Sequence, residues 1–384
     1  MARARRLRPA RPRPPLPPPL VVGAGVLLLA LAVALLWWWG RGGDDGAPAL
    51  PVAEQEPAAL WRIANMYPGD VPLLGSGAAR LAERVAALSA GRWKLVPEEP
   101  GVLASSLEVF DEVSAGRIVA VWSSPAYWQR QIPAAVLFSG LPFGPEPVAF
   151  MAWLEQGGGL ELWRKLYAAH DLYPIPCGLL PPKAFGWFRK PLVDQESLKE
   201  LRLRFLGLGG DVLARMGARL RRYSGADLPI ALGGDYLDGT EFFYPSLDAE
   251  RGFARQARHY YLPGWQQRPL VLELTVNLGR WKGLSPAAQG LLETACRDNA
   301  LHLLAAGEAA QPDGLRELAR QRVMVRRLTA QMLAALREAT EAVLAEHAGR
   351  DRDFARVLRS WRAFEARYRT WTVRAGLPPE TASP

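Results

Sequence analysis

The polar and apolar positions divide the chain into unlike stretches. Met1 to Pro19 is an arginine- and proline-rich tail, and Leu20 to Trp39 ("LVVGAGVLLLALAVALLWWW") then runs for twenty residues without a charge. That length suits a helix crossing a bilayer. Residues 40–57, rich in Gly, Pro and Asp, have no period and read as a flexible linker. From Ala58 two periods alternate. "LWRIAN" (Leu60–Asn65) reads as a strand and Leu73–Gly91 as a helix. "RWKLVP" (Arg92–Pro97) is a second strand, Ser106–Gly116 a short helix, and "RIVAVWSS" (Arg117–Ser124) a third strand. Further strands are expected at Asp171–Pro176, Leu201–Gly207 and Leu270–Asn277. Long amphipathic helices follow at Ser285–Gly307, Ala330–His347 and Asp351–Trp371. Helices alternating with short apolar strands predict an α/β body with largely parallel sheets over residues 58–384.

The net charge of +9 changes less than it first suggests, because six arginines before Leu20 (Arg3, Arg5, Arg6, Arg8, Arg11 and Arg13) account for most of it. The remainder has no basic stripe interleaved with exposed aromatics, so nucleic acid is not an expected partner. Arginines before the apolar run and "GRGGDDG" after it leave the N-terminus in the cytoplasm and the body outside. Three tryptophans close the run where a cleavable signal would carry small residues, which favours an uncleaved anchor. Cleavage near "GAPA" would release the same body into the periplasm.

Catalytic patterns are missing. His170, His259, His302 and His347 are scattered, no G-x-S-x-G is present, and Cys177 and Cys296 lie in no nucleophile or metal motif. The two cysteines are either buried thiols or one disulfide. "LRLRFLGLGGDVLARMGA" (Leu201–Ala218) reads strand, glycine loop, helix, but Val212 stands where a dinucleotide fingerprint needs its third glycine. Gly207, Gly209 and Gly210 still form an anion cradle at a helix start, and Arg204 just before them has the planar fork that suits a carboxylate. Aromatics gather with Pro and Gly at expected strand ends: Tyr127 and Trp128 in "SSPAYWQRQ", then "TEFFYPSLDAERGF" (Thr240–Phe253) and "ARHYYLPGW" (Ala257–Trp265). Such positions hold ligands in α/β folds.

Taken in order, "SAGRWKL", "LEVFDEVSAG", "LPFG" with "AWLEQGGGLELW", "PCG…GWFRK", the Leu201–Ala218 segment, "LDGTEFFYP" and "YYLPGW" make the chain resemble the extracytoplasmic solute receptors of TRAP transporters, the DctP-type family. The likeness runs from about Leu60 to Trp371 and is strongest to the branch that binds 2-oxo acids such as pyruvate. It implies a two-lobed, periplasmic-binding-protein-like (type II) fold and no enzymatic activity. It also implies capture of a small carboxylate, a 2-oxo or 2-hydroxy monocarboxylic acid, for delivery to TRAP membrane subunits. The setting would be the periplasmic side of the bacterial inner membrane, and a homodimer is compatible with it. A diverged, membrane-anchored sensor or scaffold with the same fold is the alternative.

The resemblance also assigns residues. Arg204 stands at the family's carboxylate clamp, Glu241 at the glutamate that helps bind a cation, Phe242 at the neighbouring tryptophan that lends a backbone oxygen, and Tyr127 and Trp128 in the aromatic wall. The departure is at the cation. Family members bind sodium or calcium with the ligand through a glutamine, and this chain has Lys183 there, two prolines before it and Leu179 and Phe185 nearby. An ammonium has donors and no acceptor, so it cannot coordinate a metal. The expectation is therefore that no cation is needed and that Lys183 takes its place beside Glu241; otherwise Pro181 and Pro182 swing Lys183 out to solvent.

Overall fold

A computed structural model describes residues 58–375 apart from Ala226. The basic tail, the expected anchor at residues 20–39 and the linker at residues 40–57 lie outside the described residues, within which no helix is long and apolar enough to cross a membrane.

Two sheets carry the body. The first has the order β2-β1-β3-β10-β4, formed by β1 (Ala59–Asn65), β2 (Trp93–Glu98), β3 (Ala120–Ser123), β4 (Leu172–Leu180) and β10 (Leu270–Asn277). The second has the order β11-β9-β5-β8-β6-β7. Its strands are β5 (Gly186–Phe188), β6 (Arg202–Arg204), β7 (Arg219–Leu220), β8 (Gly239–Thr240), β9 (His259–Leu262) and β11 (Met324–Arg327). The expectation of largely parallel sheets needs correction. β10 is antiparallel to both β3 and β4, and β5 is antiparallel to both β8 and β9. The reason is connectivity: the chain leaves the first sheet at the end of β4 and returns only at β10, which enters from the opposite end.

Strand β10 shows how sequence becomes layer. All eight of its residues are buried. Leu270, Leu272, Leu274 and Val276 fall in one core with Trp122 and the apolar face of helix α1 (Gly75–Leu88). Val271 falls in the other, with Phe138, Trp153 and Trp163. Alternation places Glu273 and Thr275 on this second, aromatic side.

Helix α3 (Pro286–Arg320) starts where the sequence predicts, with the Ser285 hydroxyl accepting from the Ala288 N–H and proline at the first position. It continues thirteen residues past Gly307. That glycine does not end the helix; it leaves room for Pro181, whose ring would lie 2.6 Å from an added Cβ. Cys177 on β4 and Cys296 on α3 form a disulfide, fully buried at both ends. Of the two readings of the cysteines, the bonded one is what the structure shows. Helices α4 (Ala330–Arg350) and α5 (Arg352–Ala375) close the fold, with Trp361 of α5 packed edge-on against Trp153 at 5.5 Å.

The chain therefore crosses between sheets twice within the region that matters: at Pro181–Phe185 outward and at Pro263–Pro269 on return. These crossings touch. A side chain on Gly264 would collide with the Lys183 carbonyl at 1.6 Å, so only glycine permits the approach. Lys183 lies in the first crossing and Gln266 in the second.

Candidate ligand-binding site

Arg204 ends β6, and helix α2 (Gly207–Arg215) begins three residues later. Its carbonyl accepts the Glu241 N–H at 3.2 Å and the Thr240 hydroxyl at 3.2 Å, which fixes the strand end. The guanidinium Nε donates to the Tyr223 carbonyl at 3.3 Å. Among the described residues no carboxylate lies within 4.0 Å of that guanidinium. Its charge acts instead on the hydroxyl of Tyr127: burial pushes that group up, while a hydrogen bond with Tyr67 and the charge of Arg204 pull it back. Tyr127 itself is 45% exposed. Tyr67 packs edge-on against it at 5.8 Å. Burial and the neighbouring Tyr127 push the Tyr67 hydroxyl well above its ordinary value. Sequence reasoning missed Tyr67, although it stands just past a strand end, the same kind of position that drew attention to Tyr127.

Glu241 is 2% exposed. One carboxylate oxygen accepts the Leu206 N–H at 2.9 Å and the other the Gln266 amide at 3.3 Å. Leu206 caps α2, so the anion cradle read from Gly207, Gly209 and Gly210 is held at least in part by this carboxylate. Gln266, also missed from sequence, binds the Ala184 carbonyl at 2.6 Å through the same nitrogen, and its own amide oxygen is buried without a partner.

Lys183 does not swing out. It is 8% exposed, with Nζ 4.9 Å from the centre of the Phe243 ring. Among the described residues no carboxylate oxygen lies within 4.0 Å of it, so the ion pair with Glu241 is not closed. Burial lowers its pKa and the charge of Arg204 lowers it further, against the opposing pull of Glu241 and Asp248. Pro181 and Pro182 do not redirect the loop, because Pro181 is itself buried against α3. Asp248, 1% exposed, accepts from Phe243 N, Trp187 Nε1 and Tyr260 OH at 2.9, 3.2 and 3.0 Å, and burial pushes it up to about 7.

The remaining expected residues divide. Phe242 is half-buried, its ring 4.9 Å from Phe243 and 5.5 Å from Phe253. Trp128, expected in the wall, is 2% exposed, and its indole N–H donates to Glu273 at 2.6 Å, so it supports Tyr127 from behind. Glu273 receives Ser123 and Tyr167 hydroxyls at 3.0 and 3.3 Å on the same oxygen, and burial pushes it up to about 7.

Arg204, unpaired by any carboxylate among the described residues, the strand-end tyrosines of the first sheet and the buried Glu241 of the second are groups suited to receive a small anion. The match to known proteins agrees. Residues 65–351 match the model of the bacterial extracellular solute-binding proteins, family 7 (DctP), and the chain belongs to that family. It is therefore a periplasmic solute receptor of the TRAP transporter class. The monocarboxylate 2-oxoacid-binding periplasmic protein of Nostoc sp. is 31% identical over 317 residues, 82% of this chain and 86% of that protein. A TRAP solute-binding protein of Colwellia psychrerythraea with bound calcium and pyruvate superposes with TM-score 0.76 at 28% identity, covering 82% of this chain and 96% of that one. One from Pseudoalteromonas atlantica with sodium and pyruvate gives 0.75 at 29%, covering 82% and 95%.

These two structures correct the expectation that no cation is needed, since each holds one together with pyruvate. The residues present here fit such an ion. Among the described residues no three acidic, His or Cys side chains cluster. Yet the Glu241 carboxylate, held only by neutral donors, and the orphaned Gln266 oxygen supply acceptors side by side.

Proposed function

We propose that this receptor captures a 2-oxo or 2-hydroxy monocarboxylic acid in the periplasm and delivers it to TRAP membrane subunits without transforming it. The observation that supports this most is the Arg204 guanidinium, unpaired by any carboxylate among the described residues and acting on the Tyr127 hydroxyl across the cleft. A carboxylate there completes a bidentate, charge-assisted contact. Glu241 and Gln266, with the Phe242 carbonyl, would hold a calcium or sodium ion, which would bring a positive charge to the ligand's second oxygen. Lys183 presents a further positive group, and Tyr127, Tyr67 and Phe242 serve as walls. The apolar run Leu20–Trp39 supports an N-terminal membrane anchor. No observation favours the sensor or scaffold alternative.

A thermal-shift series on the full-length protein tests the reading. Pyruvate should raise the midpoint by mass action, and calcium or sodium should enlarge the shift. If no 2-oxo or 2-hydroxy acid moves the midpoint, with or without cations, the reading fails.

A further inference from the structure

Gln267 follows Gln266 in the second crossing but reaches different partners. Its amide nitrogen lies 2.9 Å from the Ser139 carbonyl oxygen and 2.8 Å from the Ser139 hydroxyl. A carbonyl only accepts, so the atom beside it must be the nitrogen, and the Ser139 hydroxyl accepts from the same donor. The hydrogen of that hydroxyl is then left for the Ser124 hydroxyl, 2.7 Å away; both serines are buried. Ser124 caps the short helical turn Pro125–Trp128, and its carbonyl accepts the Tyr127 N–H at 3.0 Å. The Ser124 hydroxyl is also a hydrogen-bond partner of Tyr67, as Tyr67 is of Tyr127. The far end of the turn is held separately, by the Trp128 indole on Glu273.

Backbone contacts keep the two ends of this chain in register. Phe143 N donates to the Trp265 carbonyl at 2.6 Å, and Leu141 and Arg268 exchange hydrogen bonds at 3.3 and 3.2 Å. Gly140 lies so close to the Pro269 carbonyl that an added Cβ would sit 1.9 Å from its oxygen. Consecutive glutamines therefore serve two sides: Gln266 holds Glu241 and the Ala184 carbonyl, and Gln267 holds the serines under the tyrosine turn.

We propose that Gln267 is a positioning residue for the ligand wall. As the obligate donor at the root of a buried hydroxyl chain, it holds the Ser124 cap of the Tyr127 turn and ties that turn to the crossing from which Gln266 holds Glu241. A buried chain of this kind has one arrangement in which every member is satisfied, so it fixes geometry more sharply than apolar packing does. Gln267 touches no ligand in this account; it acts through Tyr127. The inference rests on the function proposed above and adds to it a residue outside the expected site.

The test is a double-mutant cycle between Gln267→Leu and Tyr127→Ala in full-length protein, read by calorimetry with pyruvate, with urea unfolding recorded beside it. Gln267→Leu should weaken pyruvate about five- to tenfold, the scale of one neutral hydrogen bond. In the Tyr127→Ala background the same change should matter less than about twofold, because the residue it acts through is gone. A loss of equal size in both backgrounds makes Gln267 a general support of the fold and overturns the proposal, as does unchanged affinity in Gln267→Leu. If urea shows that Gln267→Leu does not fold, Ser139→Ala breaks the same link from its other side, and the same two outcomes decide. Either overturning result, with pyruvate still bound by the wild type, leaves the receptor reading standing. A wild type that binds no 2-oxo or 2-hydroxy acid overturns both readings together.

Discussion

Glu273 and Asp248 make stability depend on pH in a direction opposite to most carboxylates. Glu273 is pushed from an ordinary 4.5 up to about 7, and Asp248 from 3.8 up to about 7, in both cases chiefly by burial. A raised carboxyl binds its proton more tightly folded than unfolded. Its contribution is therefore complete below the unfolded value and is lost as pH rises towards the folded value. At about 1.4 kcal/mol per unit, Glu273 withdraws about 3 kcal/mol across that window and Asp248 about 4 kcal/mol. His259, lowered by burial and by Arg326, works the other way, so the wild-type curve alone does not isolate either acid. Glu273→Gln does. Its amide oxygen can keep the Trp128, Ser123 and Tyr167 contacts, and its nitrogen takes the position of the oxygen that has no partner, near the unpartnered Thr275 hydroxyl. Urea unfolding of both proteins between about pH 4.5 and about pH 8 should show the variant gaining about 3 kcal/mol on the wild type as pH rises. A difference that stays constant over the range refutes the argument.

Two further expectations follow from single contacts. Arg204→Ala should cost roughly 2–5 kcal/mol of pyruvate affinity by calorimetry, and Arg204→Lys should recover little because a point charge does not reproduce the fork; near-normal binding in Arg204→Ala would remove the clamp. Reduction of the Cys177–Cys296 bond, which spans 119 residues, should lower stability by up to about 5 kcal/mol in the chain-entropy account. Two alkylatable thiols in protein denatured without reductant would refute the bond itself.

Much of the architecture was legible because its causes are local. The period of two in β10, the serine cap of α3 and the strand-end aromatics are readable from neighbouring residues alone. What was not legible depends on distant partners. Strand direction in β5 and β10 follows from where the chain crosses between sheets. Gly307 looks like a helix end and is a seat for Pro181, 126 positions earlier in the chain. Trp128 stands next to Tyr127, but Trp128 is buried and donates to Glu273 while Tyr127 is exposed. Gln266 carries no pattern at all. Its importance comes from a second crossing that lies against the first.

That adjacency also explains why the site sits where it does. The two crossings are held together by the contact of Gly264 with the Lys183 carbonyl and by the Gln266 amide on the Ala184 carbonyl. The same amide reaches Glu241, whose backbone is bonded to Arg204 and whose other oxygen is bonded to the cap of α2. The charged groups thus form one connected frame on the second sheet and the crossings, while Tyr67 and Tyr127 follow strands β1 and β3 of the first sheet. Under the proposed function, a small acid held by the frame would meet the tyrosines from the first sheet. Its polar contacts would then be largely preorganised, and the tyrosines would be the part that reports closure.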